Sequence, residues 1–544
     1  NTGQSLPLPD RLDMSGIMFA PCLAIGAALT SKKETPMPQS ADRCSTLIEL
    51  LSRGADDAPA ISAPGTSPLS YGRLRSLVDT SIKALNGFGI GRNDRVAIVL
   101  PNGPEMASAF IAIASGATAA PLNPSYRADE FEFYISDLNA KALVVEAGSA
   151  SPAVAVAEKL GVRIITLHPD PQSGAGSFTL SAEGSGPCTA GPAAPDETAL
   201  ILHTSGTTSR PKIVPLSQRN VSVSAGNIAA SMELAAEDRG LNIMPLFHIH
   251  GLMAGLLAPW SKGGCIFCTP GFNALRFFAW LEESAATWYT AVPTMHQAIL
   301  TRAGGNAEII KRFPLRFVRS SSSSLPPQVI TELEGVFGAP VIEAYGMTEA
   351  SHQMASNPLR GVRKPGAVGL AAGPEIAIMD EAGKLLVNGE TGEIVIRGDN
   401  VTAGYEANPE ANAGAYTNGW FRTGDQGVLD DENYLTLTGR LKEIINRGGE
   451  KISPREVDEI FMDHPAVRQV VVFGIKHDKL GEDVGAAVVL REGHSATEKD
   501  LRDYAGSRLA PFKVPRKILF LEEIPLGATG KLQRIGLAAK LGLE

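Results

Sequence analysis

Apolar residues recur along this chain with two distinct periods. At positions 74, 77, 78, 82 and 85 they fall on one helical face, so Leu74 to Leu85 predicts an amphipathic helix. Val96-Ala-Ile-Val-Leu100 predicts a buried strand, residues 104–116 a helix, and Ala142–Val145 and Ile164–Leu167 two more strands. Strands alternating with helices imply an α/β architecture with a largely parallel sheet. Residues 171–197 are rich in Gly, Ala, Ser and Pro and read as a surface excursion. Near the C-terminus come a helix at Pro454–Asp463, strands at Val470–Phe473 and Ala486–Leu490, and a helix at Glu498–Arg508. That is enough for a second compact α/β unit of about 100 residues. The break falls at Gly439-Arg440-Leu441-Lys442. The expected division is an N-terminal extension (1–40, partly disordered), a large unit (41–440) and a small C-terminal unit (441–544).

A length of 544 residues leaves ample material for more than one core. The content is 44% hydrophobic and 20% charged, which fits an ordinary globular protein. The net charge of −9, with no long basic run, argues against nucleic acid as a partner. Anionic ligands must then be drawn in by local fields from loops and helix ends. The five cysteines, Cys22, Cys44, Cys188, Cys265 and Cys268, are odd in number and scattered, which predicts a reducing, cytoplasmic setting. Cys265-Ile-Phe-Cys268 has no second pair or histidine cluster to complete a zinc site and reads as a buried strand. Residues 15–30 are apolar but too short to span a bilayer comfortably, and Pro21 and Gly26 interrupt them. Asp10 and Asp13 spoil the basic flank of a signal peptide, and the final residues are not a peroxisomal tripeptide. Nothing in the pattern specifies an oligomeric state.

The chemistry concentrates after the strand-like run Ala199–Leu202. Thr204-Ser-Gly-Thr-Thr-Ser-Arg-Pro-Lys212 brings hydroxyls, a glycine and two cations together at the end of that run. A glycine turn with free N–H groups and hydroxyls can wrap a phosphate chain. Pro211 before Lys212 and Ile213 after it exclude a Walker A loop. The loop resembles that of the adenylate-forming superfamily, which includes acyl-CoA synthetases, luciferases and adenylation domains. Further motifs follow in that family's order: Pro245-Leu-Phe-His-Ile-His-Gly251, Tyr345-Gly-Met-Thr-Glu349, Trp420-Phe-Arg-Thr-Gly-Asp425, Gly439-Arg-Leu-Lys-Glu443 and Gly530-Lys531. The resemblance runs from about Leu47 to the end. The family commonly has Gly at the positions of Ser209 and Ile213, and a β-branched Ile213 would be strained if its φ were positive.

The resemblance implies ATP, Mg²⁺ and coenzyme A as ligands and a mobile C-terminal domain. It implies that Thr204, Ser205, Gly206, Thr207, Thr208 and Lys212 hold the β- and γ-phosphates. Glu349 would bind Mg²⁺ and Thr348 would contact the α-phosphate. Tyr345, with Glu343 and Ala344 before it, would stack on adenine, and the backbone of Ser322, Ser323 and Ser324 would cover its other face. Asp425 would accept the ribose hydroxyls, and Arg440 would donate to ribose or phosphate. Lys531 would reach the carboxylate and α-phosphate during adenylation. Lys442 would be the hinge, and Arg447, Gly448, Gly449, Glu450 and Lys451 would line the CoA channel after rotation.

Two features point to a small polar acid. The family's Ser-Gly-Gly-Ala-Pro-Leu segment is Ser320-Ser-Ser-Ser-Ser-Leu325 here, which narrows the pocket and adds hydroxyl donors. His248 and His250 flank the acid site, His352 lies three residues beyond Glu349, and a buried carboxylate needs such partners. The resemblance is strongest to the oxalate-activating branch, whose usual Ala is Gly346 here, a small change. Ser320, Ser321, His250 and His352 are the expected contacts to the distal carboxylate, and His248 gates the carboxylate under attack. The alternatives are a ligase for another short or medium-chain acid, an adenylation module loading a carrier protein, a luciferase-like oxygenase and a silent binding protein.

Overall fold

The computed structural model describes residues 44–204, 211–525 and 533–543. The N-terminal extension, Ser205–Arg210 of the phosphate loop and Lys531 therefore lie outside the described residues. The expected helix spans Tyr71–Gly87 and buries Leu74, Val78, Ile82 and Leu85. Ser70 caps it, its hydroxyl accepting from the Arg73 N–H. The helix Pro104–Gly116 is buried nearly all round, because it lies between the two large sheets' apolar faces.

One seven-stranded sheet runs in the order Phe178–Ser181, Arg163–Pro169, Ala142–Glu146, Arg95–Val99, Thr118–Pro121, Thr198–Thr204, Lys212–Ser217. Its inner pairs are parallel, and the two end pairs are antiparallel. The excursion at 171–197 thus contributes an edge strand, which its Gly- and Pro-rich composition concealed. Ile213 sits inside Lys212–Ser217, paired with His203 and 7% exposed, and is not among the positive-φ residues. The expected strain is absent because the β-branched side chain occupies a strand, where it packs well.

A nine-stranded sheet joins strands from the second half of the large domain to Pro59–Ser62 and Leu69–Ser70 at one edge. Trp288–Ala291, Phe317–Ser321 and Val341–Met347 are parallel neighbours, and His352–Ser356 returns antiparallel beside the last. Cys265–Cys268 is a fully buried strand of this sheet, as its apolar pattern predicts. An antiparallel sheet built on Glu375–Met379, Gly392–Arg397, Trp420–Leu429 and Leu435–Arg440 follows. The smaller C-terminal domain then forms its own sheet, from Ile445–Arg447, Glu450–Ile452, Val467–His477, Gly481–Leu490 and Lys517–Phe520. Its helices Pro454–Met462 and Glu498–Gly506 pack on that sheet around Val457, Phe461 and Leu501. No helix among the described residues is long and apolar enough to cross a membrane.

Candidate active site

Several motifs converge where parallel strands end, the usual ligand position in an open α/β sheet. Thr204 closes one strand and pairs with Lys212 on the next, so the register fixes both flanks of the phosphate loop. Ser320–Ser324 leave the strand Phe317–Ser321, and Tyr345–Glu349 leave its neighbour Val341–Met347. Thr348 and Glu349 form a single 3₁₀ turn with Ala350. His248 starts the short helix Ile249–Leu252, its ring 4.5 Å from Phe247, and His250 follows within that helix.

Burial dictates the chemistry around Glu349. Only 6% of it is exposed, and its Oε1 accepts from the Tyr405 hydroxyl at 2.9 Å. Burial raises its pKa, and Tyr405, Arg440 and Lys212 partly oppose that rise. Lys212 lies 4.2 Å over the Tyr405 ring. Partial desolvation lowers the Lys212 pKa, and Glu349 pulls it back up. A hard carboxylate with cationic and phenolic neighbours is a suitable donor for Mg²⁺ beside phosphates.

Asp425 is 8% exposed and held from both sides. Arg440 Nε donates to its Oδ1 at 2.9 Å and the Tyr345 hydroxyl to its Oδ2 at 2.5 Å. The neighbouring Asp425 carboxylate raises the Arg440 pKa, and burial raises that of Tyr345 well above the usual phenol. An ionised carboxylate has about four acceptor positions, so two stay available for hydroxyls. Glu343 is committed elsewhere. Its Oε1 accepts from the Leu325 N–H at 3.1 Å, and burial raises its pKa to about 7. Through that oxygen it braces the serine loop. Ala344 is buried and its carbonyl accepts from the Ser321 hydroxyl at 2.8 Å.

The acid end differs from the expected contact set. Ser321 is occupied by that carbonyl. Ser320 pairs with Ala291 and Glu343, one residue out of phase with Arg319, so it faces the opposite side of the strand. Its hydroxyl finds no partner among the described residues. The histidines instead gather on Arg319, fully buried in mid-sheet. Arg319 Nη1 donates to His250 Nε2 at 3.2 Å and Thr290 Oγ1 at 3.3 Å. Its Nη2 donates to His352 Nε2 at 3.2 Å and Gln353 Oε1 at 3.0 Å. The two imidazoles stack at 4.9 Å, and His250 Nδ1 meets the Ser322 hydroxyl at 3.0 Å. Arg319 Nε has no partner, and no carboxylate pairs with this guanidinium among the described residues. Burial lowers its pKa to about 9, which leaves it cationic at neutral pH. The sequence signal for Arg319 was a lone charge inside the buried strand Phe317–Ser321. Gln353 and Tyr405 carried no comparable signal.

Gly346 is more than a small change from Ala. A Cβ there would lie 1.6 Å from the His352 carbonyl oxygen, because the ladder shifts register at Tyr345/Gly346. His352 itself holds φ 91°. In the C-terminal domain, Gly448 and Gly449 form the two-residue turn between Arg447 and Glu450, with φ 62° and 98°. These angles are those of a type I′ turn, which has positive φ at both positions, so turn geometry alone accounts for both glycines. Arg447 pairs with Asp483 at 2.7 Å, and the exposed Lys451 lies 3.5 Å from Glu381. Lys442 is exposed within the 3₁₀ turn Leu441–Glu443. The helix starting at Pro454 reaches the serine loop through Arg455, which donates to the Ser324 hydroxyl at 2.8 Å. Ser322 and Ser323 are exposed.

The AMP-binding enzyme family matches residues 51–406, and the AMP-binding enzyme C-terminal domain matches residues 456–531. The chain belongs to the AMP-binding enzyme family. It is 44% identical to the oxalate–CoA ligase of Arabidopsis thaliana over 505 residues, covering 91% of this chain and 97% of that protein. It is 41% identical to the oxalate–CoA ligase of Saccharomyces cerevisiae, covering 81% and 86%. Among solved structures, ATP-bound MatB from Rhodopseudomonas palustris superposes with a TM-score of 0.81 at 29% identity, covering 91% of this chain and 98% of that one.

Proposed function

We propose that this protein is an ATP-dependent oxalate–CoA ligase that works through oxalyl-adenylate, releasing pyrophosphate, then oxalyl-CoA and AMP. The observation that carries the choice of acid is Arg319. A buried guanidinium with no carboxylate beside it holds an uncompensated charge, and a second carboxylate on the substrate supplies the counterion. Arg319, His250 and His352 therefore take over the distal-carboxylate role, and Ser320 and Ser321 leave it. Monocarboxylates would strand the cation, which a site built on hydrogen bonds rejects strongly. The identity to two oxalate–CoA ligases supports the same reading.

The remaining residues divide the work of joining two anions. Thr204, Lys212 and the loop Ser205–Thr208 hold the terminal phosphates. Glu349 would hold Mg²⁺, which when bound neutralises phosphate charge. Thr348 meets the α-phosphate, and Asp425 with Arg440 fixes the ribose. Tyr345 and the serine loop enclose adenine. His248 stands by the reacting carboxylate, and Lys531 from the small domain stabilises the charge that develops as the carboxylate oxygen displaces pyrophosphate. Rotation about Lys442 withdraws Lys531 and brings the Arg447–Lys451 hairpin to the pantetheine path. We divide the chain at 440/441 on this basis. The unpaired cysteines Cys44, Cys188, Cys265 and Cys268 support a cytoplasmic setting.

Pyrophosphate release over oxalate, malonate, glycolate, acetate and hexanoate, with and without CoA, tests the assignment. Oxalate should be fastest, with AMP release accelerated by free CoA. Faster turnover of hexanoate would overturn the oxalate reading, and indifference to free CoA would favour a carrier-loading module.

A further inference from the structure

Lys212 and Glu349 both contact Tyr405 at the phosphate end of the site. Opposite charges so placed would be expected to close into a direct ion pair, yet one ring separates them. Tyr405 presents its face to the Lys212 ammonium at 4.2 Å and its hydroxyl to Glu349 Oε1 at 2.9 Å. An ionised carboxylate can only accept, so the phenol is the donor in this bond. The ring is held in place from several directions. Asn412 receives the Tyr405 N–H at 2.8 Å and donates to its carbonyl at 2.7 Å. On one side Thr402 donates its N–H to the Glu349 carbonyl at 2.7 Å and its hydroxyl to the Pro215 carbonyl at 2.8 Å. On the other, the Glu406 N–H reaches the Ile213 carbonyl at 3.1 Å, and Arg95 pairs with the Glu406 carboxylate at 2.5 Å. The segment is thus tied both to the strand bearing Lys212 and to the turn bearing Glu349.

We propose that Tyr405 is a positioning residue that keeps Lys212 and Glu349 apart before nucleotide arrives, leaving the cation for phosphate oxygens and the carboxylate for the metal. The proposal rests on the phosphate and metal roles given above to those two residues. Without the ring, the two charges pair, and ATP must compete with an internal carboxylate for Lys212.

Calorimetric dissociation constants for ATP, with and without Mg²⁺, test this without reference to turnover. Tyr405→Leu should weaken binding of Mg²⁺-free ATP by about tenfold. Adding Glu349→Gln to that variant should restore most of the loss, because the competing carboxylate is gone. A ring that merely supports the fold would give no such rescue. Tyr405→Phe keeps the spacer and loses only the hydroxyl. It should bind Mg²⁺-free ATP within about twofold of the unmodified protein and Mg²⁺-ATP several-fold more weakly. Unchanged ATP affinity in Tyr405→Leu, or no recovery in the double variant, overturns the proposal. If Tyr405→Leu fails to fold, Tyr405→Phe decides alone, because about a tenfold loss of Mg²⁺-free ATP affinity with the spacer ring still in place overturns the proposal. Lys212→Ala separates the underlying assignment: unchanged Mg²⁺-free ATP binding there would remove the phosphate role of Lys212 itself.

Discussion

A guanidinium taken out of water normally has a carboxylate waiting for it, and Arg319 has two imidazoles, a threonine hydroxyl and an amide oxygen instead. All four are neutral or weakly basic acceptors, so the cation is solvated without being neutralised. Gln353 is fixed in turn, donating to the Ser231 hydroxyl and the Ala372 carbonyl, both at 2.9 Å. Such an arrangement depends on the close approach of the strands bearing Gly346 and His352. Gly346→Ala should force them apart and cost about 1–3 kcal/mol, seen as a lower denaturation midpoint. An unchanged midpoint would show that the strands yield without cost. The histidines were legible as candidates from their places in motifs. Their meeting point was not, because strand pairing, which sequence spacing does not give, sets which of Arg319 and Ser320 faces them.

At the scale of elements, the parallel strands and their helices followed the apolar periodicity closely, as at Tyr71–Gly87 and Pro104–Gly116. The antiparallel sheet between residues 375 and 440 did not stand out, since its strands mix buried and half-exposed positions, as in Trp420–Leu429. The serine loop owes its position to Glu343, whose carboxyl holds the Leu325 N–H from below. Its pKa is raised from the ordinary carboxylate value to about 7 by burial. The folded state therefore binds this proton more tightly than the unfolded chain does. Stability contributed at this position is present at low pH and falls as pH rises from about 4.5 to 7. Glu343→Gln removes that dependence. The variant should gain stability relative to the unmodified protein between pH 5 and 8, by about 1–3 kcal/mol at the upper end. A pH-independent difference in midpoint would contradict a buried, neutralised Glu343.

For the whole molecule, the proposed reaction calls for two arrangements of the small domain around one site. Lys531 and the Arg447–Lys451 hairpin stand far apart in the small domain's sequence, the hairpin joining the first two strands of its sheet and Lys531 following the last. Lys531→Ala should lower adenylation by on the order of 10²-fold and leave thioester formation from preformed adenylate nearly intact. Lys442→Pro, which fixes φ at the turn Leu441–Glu443, should do the reverse. Stopped-flow measurement of the two half-reactions reads both, and equal losses in both would argue against an alternating domain. The order of the motifs made the division into a large and a small domain legible from sequence. The contacts between the two, such as Arg455 with Ser324, depend on packing and were not.

On the proposed reading, an uncompensated Arg319 selects acids that carry a second carboxylate. Glycolate keeps oxalate's two-carbon skeleton and lacks that carboxylate. The most direct measurement is therefore the ratio of kcat/KM for oxalate over glycolate, in the unmodified enzyme and in Arg319→Gln. The unmodified enzyme should favour oxalate by ~10³-fold or more, and the ratio should collapse towards unity in the variant while ATP affinity stays within about threefold. A ratio that survives the loss of Arg319 would contradict the account.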